Sequence, residues 1–145
     1  MLELPIVRLQ VQLGPIKPGR APWRVYRPEI LHEVVELIAT PDGVVGVDAE
    51  GTEHIDVHNT RHPLSRDRKG RAGISVMATG DYGALRERYG RHLVDGIAGE
   101  SILVDYPPGL AGRSMPPTVT LRLGAPAPTA PGVAVRPDAA DAGVI

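Results

Sequence analysis

Cysteine is absent from the chain, which excludes disulfides, thiolate metal ligands and a nucleophilic thiol. Phenylalanine is absent as well, and aromatics supply only 3% of the residues, so any core must be built from Val, Leu and Ile. The net charge of −1 gives no global field to attract nucleic acid or an anionic membrane, so anion binding has to come from a local cluster. No apolar run approaches the ~18 residues of a membrane span. The opening MLELPIVRLQ lacks the basic-then-apolar order of a secretory leader. The expectation is a cytoplasmic protein with neither a membrane nor a nucleic-acid partner.

What is present fits a small β-rich domain. The 145 residues are enough for one core. Seventeen Gly and fifteen Pro make about a fifth of the chain, a level that favours short strands and turns over a helical bundle. Residues 4–13, LPIVRLQVQL, alternate with Val7, Leu9, Val11 and Leu13 on one side and Arg8, Gln10 and Gln12 on the other. That is the period of a half-buried strand. The segment from Pro28 to Gly51 is ambiguous. Ile30, Val34, Leu37 and Ile38 fit a helical stripe, whereas the Pro41-Asp42-Gly43 turn and the valines after it fit a hairpin of 33–40 with 43–48.

The stretch from His54 to Ser101 holds four of the five histidines and most of the polar chemistry. Residues 53–58 alternate and predict a strand. Residues 62–73 form a polar loop, and residues 74–78 a short apolar strand. A helix is expected over about 80–94, capped by Thr79, with Asp81 in its first turn and Leu85, Tyr89 and Leu93 on one face with Tyr82. Glu87 and Arg91 are spaced as a helical ion pair. Residues 102–106 and 118–123 read as further strands. From Gly124 the chain is Ala/Pro/Gly-rich without apolar period, and residues 124–145 are expected to be a disordered tail behind a single domain, 1–123.

Three constellations could carry chemistry. On a continuous strand His54, Asp56 and His58 would share a face, with His62 four residues further on, a donor set suited to Zn or a non-haem Fe(II). The alternative is surface polarity alternating with Ile55 and Val57. Arg61, Arg66, Arg68, Lys69 and Arg71 face only Asp67 in the next loop, and arginine forks match phosphate, so a phosphorylated or anionic small molecule is a fitting partner. The alternative there is a solvated loop, or one that contacts a partner in a non-catalytic interaction module. Gly96 and Gly99 bracket a turn before a strand, with Glu100 placed either to read ligand N–H groups or to stand exposed.

The order of these pieces resembles a known family. Gly46-Val47-Asp48, then Asp56-Val57-His58-Asn59 and the basic loop, then DYGALRERYGRHL, then Asp95-Gly96-Ile97-Ala98-Gly99-Glu100-Ser101 is similar to the MOSC domain. That module occurs at the C-terminus of molybdenum cofactor sulfurases and in related amidoxime-reducing proteins. The resemblance spans about residues 33–123. It implies an antiparallel β-barrel with a few short helical turns, and binding of the molybdenum cofactor, whose pterin carries a phosphate. It also implies that Arg61, Arg66, Arg68 and Arg71 meet the anionic end. His58 and Asn59 stand at the family's His-Gly-Gly turn, and Glu100 and Ser101 at its Gly-Glu-Asn turn.

Ser101 replaces the usual Asn and Asn59 a Gly, and the family's late cysteine is missing, so sulfur transfer and thiolate ligation do not carry over. The bias of residues 124–145 is that of a GC-rich gene read out of frame, and it stands where the family continues with further strands. Missing strands would leave an edge that a homodimer can cover.

Overall fold

A computed structural model of the chain describes residues 3–71 and 73–111, together with the backbone of 134–137. The strands are β1 (Ile6–Gln12), β2 (Leu31–Val34), β3 (Glu36–Thr40), β4 (Gly43–Val47), β5 (Glu53–Ile55), β6 (Val76–Ala78), β7 (Ile102–Val104) and β8 (Ala134–Pro137). Among the described residues one α-helix, α1 (Thr79–Tyr89), follows β6, and one 3-10 turn (Pro28–Ile30) precedes β2. The chain is thus mainly β. Among the described residues the strands form two four-stranded sheets, ordered β2-β1-β7-β6 and β5-β4-β3-β8. No helix among the described residues is long and apolar enough to cross a membrane.

The hairpin alternative prevails over the helix between Pro28 and Gly51. Thr40 pairs with Gly43 across Pro41-Asp42, and the turn closes with Thr40 Oγ1 donating to Gly43 O at 2.7 Å. Gly43 has φ +124°, a conformation that glycine adopts without strain. The expected strand over 33–40 is nevertheless two strands. β2 pairs with β1 in the first sheet, β3 with β4 in the second, and Val35 alone joins them, its N–H bonded to Val47 O at 2.9 Å.

The sheets meet face to face at Gly46, where an added Cβ would lie 2.8 Å from Cγ1 of both Val11 and Val34. The core between them is aliphatic, as a chain without Phe requires: Leu9, Val11, Val34, Leu37, Val44, Ala78, Ile102 and Val104.

Among the described residues four strand pairs are antiparallel and two, β6/β7 and β3/β8, are parallel, so the arrangement is mostly antiparallel. The reason for β6/β7 is the chain between them: α1 and its following loop make the long crossover that parallel neighbours need. The strand β8 lies inside the stretch expected to be a disordered tail, so these four residues at least belong to a sheet. The strand expected over 118–123 lies outside the described residues.

α1 begins one residue earlier than predicted and ends at Tyr89 rather than near residue 94. Ala78 is the N-cap, and its N–H donates to Asp81 Oδ2 at 3.0 Å, so the first turn is held by Asp81 and not by Thr79. Gly90, at φ +111°, stops the helix before Asp95-Gly96 is reached. Leu93 therefore lies beyond the helix, Tyr89 is exposed, and Glu87 and Arg91 do not share a helical turn. The buried side of α1 is Asp81 and Tyr82. Asp81 Oδ1 also accepts the N–H groups of Leu110 and Ala111, both at 2.8 Å.

Two glycines of α1 make opposite predictions. A Cβ on Gly80 would lie 2.0 Å from Pro107 O, whereas Gly83 has nothing within 4 Å. Gly80→Ala should destabilise by about 1–3 kcal/mol through overpacking. Gly83→Ala should stabilise by about 0.5–1 kcal/mol through helix propensity. Urea unfolding midpoints check both signs.

Candidate functional site

β1 is buried on both faces over its second half, which corrects the half-buried expectation. Gln10 and Gln12 are buried along with Leu9 and Val11, while Val7 and Leu13 are exposed. The β1–β7 register shifts between Ile6 and Arg8, which is where Val7 sits. The buried amides are satisfied by the loop after α1: Gln10 Nε2 donates to Gly96 O and Gln12 Nε2 to Gly99 O, each at 2.7 Å. Gly96 and Gly99 have φ of +87° and +86°, and a Cβ on either would collide with these glutamine side chains. Left unpaired, such buried amides would each cost about 1–3 kcal/mol. The glycines thus let the loop lie flat on β1.

The Asp56–Asn59 turn docks on the same strand. Asp56 is buried, its Oδ2 accepts the Gln12 N–H at 2.8 Å, and Val57 N–H returns to Gln12 O at 2.8 Å. β5 ends at Ile55 because Asp56 turns inward to make these bonds, so His54, Asp56 and His58 do not share one strand face. His58 Nδ1 lies 3.0 Å from Asp56 Oδ1. That carboxylate holds the His58 pKa above 6.5, against the opposing effect of burial. His62 bonds elsewhere: Nδ1 accepts the Leu64 N–H at 3.0 Å and Nε2 lies 3.2 Å from Leu13 O. The predicted metal set His54, Asp56, His58 and His62 is therefore split three ways.

The basic loop is organised from within. Asp67 N–H donates to Ser65 Oγ, Arg71 N–H to Asp67 Oδ1, and Arg68 Nη2 to Pro63 O. Arg66 Nη2 reaches Lys17 O at 3.5 Å, and its charge is felt by His58. Arg61, Arg66, Arg68 and Arg71 are all exposed. Asn59 is buried and spent internally, with Nδ2 on Val44 O and Oδ1 accepting the Arg61 N–H. Ser101 is likewise buried and tied to Ser75 by reciprocal bonds.

Glu100 is buried, not an exposed carboxylate. Tyr82 OH donates to its Oε2 at 2.7 Å and accepts the Ala98 N–H at 3.0 Å, while Oε1 is buried with no hydrogen-bond partner among the described residues. Burial is the main cause that raises the pKa of both Glu100 and Tyr82. The charge of Glu100 is also felt at Tyr26, over whose ring Lys17 Nζ sits at 5.9 Å. Tyr26, Tyr82 and Ala98 line part of an apolar cleft of about 390 Å³. The segment Ile16-Lys17 connects the regions: Ile16 packs on Gly99, and Lys17 O holds Arg66.

A separate cluster lies at the other side of β1. His54 Nε2 is 2.7 Å from Asp48 Oδ2, and His32 Nε2 is 3.6 Å from the same oxygen. The hydrogen bond from His54 is the main cause that lowers the Asp48 pKa to about 2. Sequence reading missed His32 because it lies just ahead of the expected 33–40 strand, outside the stretch that holds the other four histidines. On the hairpin reading the return strand places His54 opposite Gly46, near Asp48, which is a signal for part of this cluster.

No protein-family model matches this chain, and no curated protein or solved structure resembles it to a significant degree. The site is therefore read from its own geometry.

The His58–Asp56 pair makes a pH prediction. Because the folded His58 pKa is raised, its contribution to stability is complete below pH 6.5 and is lost as pH rises through the folded value. The difference in urea midpoint between the native chain and His58→Gln should be larger below pH 6.5 than well above it. A difference independent of pH would contradict the assigned pair.

Proposed function

We propose that this chain is a MOSC-like domain that binds an anionic, phosphate-bearing pterin-type ligand, without cysteine-based sulfur transfer. The observation that carries this reading is the buried, unpartnered Oε1 of Glu100 at the loop pinned to β1. An orphaned buried carboxylate oxygen is costly unless a donor reaches it, and the edge of a pterin ring presents N–H donors. Arg66, held on Lys17 O beside His58, supplies a fork for the phosphate. Asn59 and Ser101 shape the two turns through their internal bonds, and Arg61, Arg68 and Arg71 make an outer cationic rim.

The donor set fits the organic and phosphate ends of the molybdenum cofactor. It offers no soft ligand to molybdenum, because the chain has no cysteine. When bound, that cofactor would supply the metal's redox and oxygen chemistry. The chain's own residues would hold the ring and the phosphate. In this proposal the two sheets are walls of a barrel of the MOSC kind, and the compartment is cytoplasmic. The partner is a small anion rather than nucleic acid or membrane, and a second copy of the chain covers the open sheet edge.

The test is fluorescence anisotropy of a phosphorylated pterin titrated with the purified chain. Arg66→Ala and Glu100→Gln should each weaken binding by about 1.5–3 kcal/mol, or ~10- to 100-fold, as expected for hydrogen bonds to charged groups. No binding by the native chain, or binding indifferent to both substitutions, overturns the reading.

A further inference from the structure

We propose that His32, Asp48 and His54 form a binding site for one divalent transition-metal ion, Zn(II) in preference to Mg(II) or Ca(II), bridging the edges of the two sheets. The site is independent of the pterin reading and shares no residue with it. Among the described residues, the three donor atoms all lie within 4.8 Å of one another. Ligand atoms at ~2.0–2.1 Å from a tetrahedral zinc are roughly 3.3 Å apart. The observed separations of 2.7 Å and 3.6 Å between Asp48 Oδ2 and the two imidazoles bracket that value, so small side-chain shifts would suffice.

Three further observations point to a ligand. Among the described residues His32 Nε2 is buried with no hydrogen-bond partner, and at 3.6 Å from Asp48 Oδ2 it is too far for one. The ring therefore aims a nitrogen at an oxygen that His54 has already engaged, an arrangement a shared cation would resolve. The two rings stand 4.4 Å apart between centroids at 57°, so they converge without stacking. Asp48 is also held in place: its Oδ1 accepts the N–H groups of Glu50 at 3.0 Å and Thr52 at 2.8 Å, leaving Oδ2 to the histidines. Outer bonds of this kind orient metal ligands.

Two imidazoles and one carboxylate suit Zn(II) or Fe(II) and are poor for Mg(II) and Ca(II), which favour oxygen donors. Three protein ligands leave a position for water. His32 and Asp48 also line a cleft of about 280 Å³ with Arg8, Glu33 and Glu50, through which solvent reaches them. β2 and β5 are terminal strands of different sheets, so the ion would clip the two edges together.

The experiment is calorimetric titration of the full, chelator-stripped chain with Zn(II), with Mg(II) as the control, and histidine ring NMR signals followed in parallel. One Zn(II) per chain is expected, together with a raised melting temperature. The ring signals of His32 and His54 should move before those of His58, His62 and His92. His32→Gln and His54→Ala should each weaken uptake at least ~10-fold, since loss of even an outer-shell partner costs that much. His58→Ala and Arg66→Ala should leave it unchanged. His32→Gln removes no hydrogen bond of the metal-free fold, and circular dichroism checks that it is folded. No stoichiometric uptake by the native chain overturns the proposal. So does uptake that persists in the His32→Gln, His54→Ala double variant, or first movement of the His58 or His62 signals.

Discussion

Gln12 is buried, and its backbone and its side-chain amide are held by two different parts of the chain. Its N–H donates to the Asp56 carboxylate, its carbonyl accepts from Val57, and its side-chain amide donates to Gly99 O. One residue thereby fixes the Asp56–Asn59 turn and the Gly96–Ser101 loop to the same strand end. The constraint behind this is general: a strand covered on both faces must satisfy its polar groups from its neighbours, since water cannot. Here the neighbours that answer are loops, and those loops carry Asp56, His58 and Glu100.

Two kinds of unsatisfied polarity remain on either side of that strand. Glu100 keeps an oxygen buried without a donor, and His32 keeps a nitrogen buried without a partner. The first is a carboxylate oxygen beside the Tyr82 hydroxyl, the second a ring nitrogen beside the Asp48 carboxylate. Their chemistry differs accordingly, one fitting N–H groups and the other a cation. Each is an exception to the rule that buried polar atoms are paired, and exceptions of that kind concentrate where ligands bind.

The sequence made β1, the hairpin around Pro41-Asp42 and the existence of α1 legible, because period, turn chemistry and capping act locally. It misplaced the end of α1, since Gly90 took a positive φ that period alone does not reveal. It misjudged Gln10 and Gln12, because alternation assigns glutamine to solvent unless a loop arrives to bond it. The strand through His54, Asp56 and His58 failed for the same reason: Asp56 turned in to meet the Gln12 N–H. Proximity of His32 to His54 depends on how two sheets stack, and no local rule reports that.

Val35 is the sole residue between β2 and β3, and its N–H is bonded across to Val47. The two sheets are therefore joined by a covalent link with no slack, and a peptide of one residue cannot serve as a flexible tether. Drawing the sheets apart at Gly46 would therefore pull directly on the backbone at Val35 and on its hydrogen bond to Val47.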